Sequence, residues 1–361
     1  MTAGCTEGVS PSADRPTIAY LLDGSPADAE LVTSPALAGL ELAAREAGNV
    51  EIEPLNVGLE HDEVMASLRE LGEDRSVVAA VVAPWTAPPD GAIDLLAAQG
   101  LPVVSFSWAW GPPEDGGLWL SFAAERAREA VILLSRATLS TPGGAPLCLA
   151  GDGHVTSRAL LATAEELGAA AGDPELVMAG ITASGEAASA DAVAERIEGA
   201  RCPTLVWIGS ATDAAAVLSS IEDPPSVVGT SRMKNDDGLT IVSSETRVHT
   251  VCACEDVSLS THPISQRFVH DLQAESGAAP GPFALEAYDV GRLLIDLLAG
   301  GEGSRQEIAT SLDTLTGFRG LVGAYAFEPS GTRSPASSGV GVWRAAGSRW
   351  LPEPEPAGSP E

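Results

Sequence analysis

Residues 77–83 read Val-Val-Ala-Ala-Val-Val-Ala, seven apolar residues with no polar alternation. A half-exposed strand alternates apolar and polar positions, but a strand covered on both faces has no reason to. The run therefore predicts an inner strand of a parallel sheet, whose crossovers must be helices. Its neighbours agree. Thr17–Leu22 is a short apolar run that stops at Asp23-Gly24-Ser25. A helical pattern follows over 34–47, with Leu37, Leu40, Leu42 and Ala44 on its apolar face. Residues 51–55 predict a second strand and 63–71 a second helix, and 91–99 and 101–105 the next helix and strand. This alternation is that of a doubly wound α/β domain.

The order then begins again. A helix is expected over about 122–137, and Leu139–Ala145 (Leu-Ser-Thr-Pro-Gly-Gly-Ala) has linker composition. Pro146–Ala150 is a new first strand, ending in Gly151-Asp152-Gly153. Helices at 157–170, 190–198 and 213–221 alternate with strands at 175–179, 204–208 and 226–229. Two Rossmann-like sets in succession predict two lobes with a cleft between them, ligands sitting at the carboxyl ends of the strands. The last third holds strands at 248–254 and 339–343 and helices at 265–275, 283–298 and 308–315. These read as pieces completing both lobes, so the chain must cross between lobes more than once. A length of 361 residues suits two domains.

Composition removes several classes of function. Fifty acidic residues against 20 basic ones give a net charge of −30, a surface that repels phosphate backbones, so no nucleic-acid partner is expected. No apolar run is long enough to span a bilayer. Residues 1–15 are polar and aperiodic, as in a flexible tether. Within them Thr2-Ala3-Gly4-Cys5 resembles the tail of a bacterial lipobox, which would make Cys5 an acylation site. The chain would then be an extracellular, cell-surface lipoprotein, touching the membrane only through its anchor, with the signal peptide outside this sequence. Cys148, Cys202, Cys252 and Cys254 remain, an even number compatible with disulfides in an exported protein. Three pairings are open. Two cysteines on one strand face would make a strained 252–254 link, so Cys148 or Cys202 is the expected partner of that strand.

The motifs do not assemble into an enzyme. Gly151-Asp152-Gly153-His154-Val155-Thr156-Ser157 stands between strand and helix, but Thr156 replaces the third glycine of a dinucleotide fingerprint. No acid closes a second strand at the required distance, so no cofactor is expected. The turn reads instead as a helix start capped by Ser or Thr, with N–H groups free to meet an anion. No Gly-x-Ser-x-Gly elbow occurs. His61, His154, His249, His262 and His270 are scattered, and His249 points away from the face shared by Cys252 and Cys254, so no metal site is expected. Trp85, Trp108 and Trp110 follow first-lobe strand ends, and Trp207 lies near the end of a second-lobe strand. Indoles gathered at carboxyl ends suggest cleft lining, most of all for Trp85 and Trp108.

The ordered set of elements resembles the leucine/isoleucine/valine-binding family of ABC-transporter receptors, with the type I periplasmic-binding-protein fold. The similarity spans about 17–350 and is strongest in Gln266–Asp271, Gly277, Pro280, Phe283–Asp289, Gly317–Gly323 and Phe327–Gly331. It implies a hinge crossed near 139–144, 248–255 and 328–335. The first lobe would comprise 16–139 plus 255–330, and the second 140–254 plus 331–355. It also implies an extracytoplasmic solute-binding protein that closes on a small molecule in the interlobe cleft and serves an ABC permease. A sensing domain coupled to a kinase or regulator is the alternative.

Carried over residue by residue, the family's pocket falls on Trp85-Thr86-Ala87 and Ser105–Ala109 in the first lobe. There Thr86 and Ser107 keep hydroxyls beside Trp108, while Ala109 falls where a hydroxyl residue is common. In the second lobe Thr156, two residues after His154 (also a candidate ligand contact), and Ala211 stand where the family has tyrosines. Ser231 stands where an acid meets the ligand's ammonium, and Asp213, Asp236 or Asp23 would have to replace it. These departures imply weak binding of leucine, isoleucine and valine. A bulkier amino-acid-like or aromatic ligand, with an apolar portion and a carboxylate, is expected instead.

Overall fold

The computed structural model describes residues 15–22, 34–58, 60–111, 118–123, 125–143, 145–171, 176–178, 189–241, 246–255, 257, 260–277, 279–300, 304–321, 323–334, 337 and 340–353. Its first sheet has the order β2-β1-β3-β4-β5, all parallel, from β1 (Thr17–Leu22), β2 (Glu51–Asn56), β3 (Val77–Val82), β4 (Val103–Ser105) and β5 (Trp119–Ser121). All six residues of β3 are buried, as its unbroken apolar run requires. Strand β2 is an edge, largely exposed, and accommodates Pro54 because one side of it needs no donor. The crossovers are α1 (Ser34–Ala47), α2 (His61–Glu73) and α3 (Ala92–Ala98).

The second sheet is larger, with the order β14-β13-β10-β9-β8-β6-β7. Its parallel part comprises β6 (Leu147–Gly151), β7 (Leu176–Met178), β8 (Thr204–Ile208), β9 (Ser226–Gly229) and β10 (Val248–Cys252). Strands β13 (Gly341–Ala346) and β14 (Arg349–Glu353) add antiparallel at the β10 edge. Helices α4 (Arg126–Ser140), α5 (Val155–Ala171), α6 (Ala190–Ala200), α7 (Ala211–Leu218) and the short α8 (Asp236–Thr240) belong to this part of the chain.

Helix α4 leaves the first sheet and packs on α5, β8, β9 and β10. Its Ala130, Ile132, Leu133 and Ala137 share a core with Leu147, Leu149, Leu160 and Val206. The chain thus reaches the second sheet by residue 126, ahead of the linker-like 139–145 segment, because the helix's apolar stripe matches the second sheet's face. After β10 the chain returns. Helices α9 (Pro263–Ser276), α10 (Ala284–Gly300) and α11 (Arg305–Asp313) pack on first-sheet elements. Helix α10 lies so close to α1 that a Cβ added at Gly39 would come within 1.9 Å of the Ala284 carbonyl oxygen. Buried Arg305 ties α11 to the loop ahead of β3, donating to the carbonyls of Gly72 (2.7 Å), Val77 (2.6 Å) and Asp74. A hairpin, β11 (Gly317–Arg319) and β12 (Ala324–Ala326), precedes the last passage, where Ser121 bridges in parallel to Thr332.

The structure corrects the cysteine expectation. Cys148 pairs with Cys202 (Cα–Cα 5.7 Å) and Cys252 with Cys254 (Cα–Cα 5.1 Å). Strand β10 ends at Cys252, so Cys254 lies beyond the pleat and is not held on the same strand face. No described helix is long and apolar enough to cross a membrane, and no cluster of metal-ligating side chains occurs among the described residues.

Candidate functional site

The loops leaving β3, β4 and β5 meet those leaving β6 and β9. Between them is a cleft of about 540 Å³. Trp108 and Ser121 line it on one side, and Arg126, with Val155 and Thr156 in the first turn of α5, on the other. The Arg126 guanidinium lies 5.4 Å from the centre of the Trp108 ring, a cation–π distance.

Trp85 holds the two sides together. Its indole Nε1 donates to Ser231 Oγ at 3.0 Å, joining the loop after β3 to the turn after β9. Its backbone is left-handed (φ 66°), a conformation that costs a bulky residue about 1–3 kcal/mol and persists only where surroundings impose it. Next to Ser231, the buried Arg232 places its guanidinium 5.8 Å from the Trp85 ring centre. Arg232 Nη1 meets Asp152 Oδ2 at 2.6 Å and donates to Ser157 Oγ at 3.2 Å. Asp152 also accepts from the backbone N–H groups of His154 (3.0 Å) and Ser210 (3.2 Å). One buried carboxylate therefore ties together the loops after β6, β8 and β9.

The residues singled out from the sequence fall into distinct positions. Trp108 and Thr156 line the cleft, and His154 Nδ1 is 2.8 Å from Thr156 Oγ1. Thr86 and Ser107 are buried beneath it; Ser107 Oγ donates to the Thr86 carbonyl at 2.7 Å and so braces two loops. Ala211 is fully buried at the start of α7. Asp213 accepts from Ser210 Oγ at 2.6 Å within the α7 cap, and Asp236 is exposed in the first turn of α8, so neither lines the cleft. Cys5 and Asp23 lie outside the described residues. Trp110 stacks on Trp119 in the first lobe's core (6.4 Å, 3°), with an edge at the cleft. Trp207 is buried and donates to the Ser210 carbonyl at 2.9 Å.

Sequence reasoning missed Arg126, Glu129 and the Asp152–Arg232 pair. Beside Trp108 lies a second, smaller chamber of about 10 Å³. Trp85, Phe106, Trp108, Phe283, Ser231 and Glu129 line it. Phe283 has, like Trp85, a left-handed backbone (φ 65°). Burial without a compensating charge pushes the Glu129 carboxyl up to about 8. The only local signal was the spacing of Arg126 and Glu129, one turn apart on a single helix face.

Two α/β sheets with helical crossovers, several passages between them and a cleft at the strands' carboxyl ends define a type I periplasmic-binding-protein fold. Residues 16–342 match the profile of the periplasmic binding protein family, and the chain belongs to that family, whose members are solute-binding proteins. Solved structures share the fold at low identity. An extracellular ligand binding receptor from Desulfohalobium retbaense superposes with a TM-score of 0.73 at 19% identity, over 94% of this chain and 59% of that one. The chain thus spans less than two thirds of that receptor's length. The branched-chain amino acid transporter substrate binding protein LivJ from Streptococcus pneumoniae, in complex with isoleucine, gives 0.71 at 15% identity, over 93% and 99% of the two chains. An ABC-transporter solute binding protein from R. palustris, in complex with benzoate, gives 0.71 at 12% identity, over 94% and 95%. A comparison with curated protein sequences finds no match.

Proposed function

We propose that this chain is the extracytoplasmic receptor of an ABC importer and closes its lobes on a small molecule with an apolar or aromatic body and a carboxylate. The carrying observation is the 540 Å³ cleft, shared by both sheets' loops and presenting the Trp108 face beside the exposed Arg126 guanidinium. A volume of that size suits a small organic ligand. The indole supplies a flat apolar wall, and the guanidinium a charge-assisted partner for a carboxylate. Val155 and Thr156, in the first turn of α5, line the same space from the second lobe.

The second-lobe position after β9 holds Ser231, bonded to Trp85, so no acid there meets an α-ammonium. Closure works by differential contact: a ligand touching Trp108 and Ser121 on the first lobe and Arg126 and Thr156 on the second favours the closed state. We assign Thr86, Ser107, His154, Ala211 and Asp213 supporting positions around this cleft, Cys5 the lipid anchor, and an ABC permease the partner. The two sheets mark the lobes, with α4 on the second lobe's side.

Isothermal titration calorimetry with benzoate-type acids and with leucine, isoleucine and valine tests the reading. We expect the aryl carboxylates to bind, and Trp108→Ala and Arg126→Ala each to weaken them at least about tenfold, the loss of roughly 1.4 kcal/mol. Micromolar leucine binding that survives both Trp85→Ala and Trp108→Ala would overturn it.

A further inference from the structure

Glu129 is a buried acid in an unusual place. It sits in the first turn of α4, one turn after Arg126, and its side chain enters the chamber beside Trp108. Trp85, Phe106, Trp108 and Phe283 contribute aromatic side chains to that chamber, and Ser231 closes it from the second lobe. Among the described residues no basic group or hydrogen-bond donor pairs the Glu129 carboxyl, and loss of water alone accounts for its raised pKa. Trp108 and Ala123 line both the chamber and the cleft, so the two spaces adjoin.

Two charges lie over the chamber's indoles, and those on the elements packed against α4 are exposed or paired. Arg126 lies over Trp108, and Arg232 lies over Trp85 and is paired to Asp152. Of the elements packed on α4, β8 and β9 carry no charged side chain, and Arg158, Glu165 and Glu166 of α5 are exposed. His249 of β10 pairs with Arg136 and Glu353 near the far end of α4.

A lone carboxyl among aromatic rings is the chemistry that recognises an organic ammonium, which takes both a counter-charge and the negative faces of π-systems. A chamber of about 10 Å³ is the size of one water and also suits one ammonium head, while the 540 Å³ cleft takes the rest of the molecule. We infer that Glu129 is the specificity-determining residue for a ligand carrying a primary ammonium, seated in this chamber with its apolar body in the cleft. The inference rests on the receptor reading above and adds a second polar end to its ligand. Binding is then coupled to a proton: Glu129 gives up its carboxyl proton to the buffer as the ammonium arrives, and an ammonium–carboxylate pair remains.

The probes are 4-(aminomethyl)benzoate, 4-ethylbenzoate, in which a methyl replaces the ammonium, benzoate and benzylamine. Each is titrated calorimetrically at pH 7 in two buffers of different ionisation enthalpy. We expect the amino compound to bind at least tenfold tighter than 4-ethylbenzoate, with close to one proton released, and affinity to rise between pH 6 and 8. Glu129→Gln, nearly the same shape, should abolish both the preference and the proton release while leaving benzoate binding in place. Equal binding of the amino compound and 4-ethylbenzoate, or no proton release from the wild type, overturns the inference and leaves the receptor reading standing. Benzylamine binding with proton release but without benzoate binding supports Glu129 and sinks the carboxylate reading instead. No binding of any probe overturns both.

Discussion

The Asp152–Arg232 pair offers the sharpest test of how the second lobe presents its loops. Both side chains are almost wholly buried, 6% and 3% exposed, with Nη1 and Oδ2 2.6 Å apart. Arg232→Met keeps an aliphatic stem against the Trp85 indole but strands the Asp152 carboxylate without a counter-charge, leaving it the Ser157 hydroxyl and the His154 and Ser210 N–H donors. Removing one member of a buried pair costs about 3–5 kcal/mol, because the surviving charge stays desolvated. Asp152→Asn strands the guanidinium at a similar cost, while the asparagine carbonyl can still serve one of the two backbone donors. The double variant, with no charge left to desolvate, should recover most of the loss and lie within about 1–2 kcal/mol of the wild type. Urea unfolding followed by circular dichroism supplies the cycle, with each lobe's transition fitted separately where the two part. Single variants within about 0.5 kcal/mol of the wild type, the scale of an exposed pair, would show that water reaches this site and that the loops are not tied as described.

Two further outcomes follow from residues away from that pair. The Cys148–Cys202 link joins residues 54 apart, and chain-entropy arguments put its worth at about 4 kcal/mol; oxidised protein should show no free thiol among the four described cysteines, and Cys148→Ala with Cys202→Ala should lower the urea midpoint accordingly. Glu129 ionises near 4.5 when unfolded but near 8 in the fold, so the folded state holds the extra proton between those values, and the resulting stability is present below 4.5 and lost as pH rises through 8. That amounts to at most about 4–5 kcal/mol. Glu129→Gln should therefore flatten the fall in stability from pH 5 to pH 8, and an unchanged slope in urea titrations would show that the carboxyl is hydrated.

The elements that could be read from the sequence were those whose whole signal is local. The β3 run needs no partner to announce a two-sided burial, and Thr17–Leu22, Ser34–Ala47 and Thr204–Ile208 appear in the structure over those same residues. Some short elements escaped, whereas β4 and β7, also of three residues, could be read from the longer apolar runs around them. Strands β5, β11 and β12 have three residues each, too few for a period to repeat, and are made strands by what lies beside them. Strand β14 carries Pro352 and a charge at each end, features that only an outer strand paired on one side tolerates. The packing of α4 on the second sheet had no local signal for a related reason: Pro and Gly at 142–144 look like a linker whichever sheet the helix before them packs on.

The site divides along the same line, and the division explains why its chemistry was harder to read than its position. Tryptophans after strand ends pointed to the cleft, because a doubly wound sheet places every such loop on one side. What those tryptophans do depends on residues 129, 231, 232 and 283, which adjoin them only through the passages between lobes. Glu129 reads locally as a solvated helix position, with Glu125, Arg126 and Arg128 around it. It is buried because α4 crosses to the second sheet and turns that position back beside Trp108. Trp85 and Phe283 likewise carry no glycine-like warning of their left-handed backbones. Their conformations are imposed by packing around a chamber that neither lobe builds alone. A pocket assembled at a lobe boundary is therefore legible as a place before it is legible as a chemistry: topology sets where the loops meet, and interlobe packing decides which charge is stripped of water there.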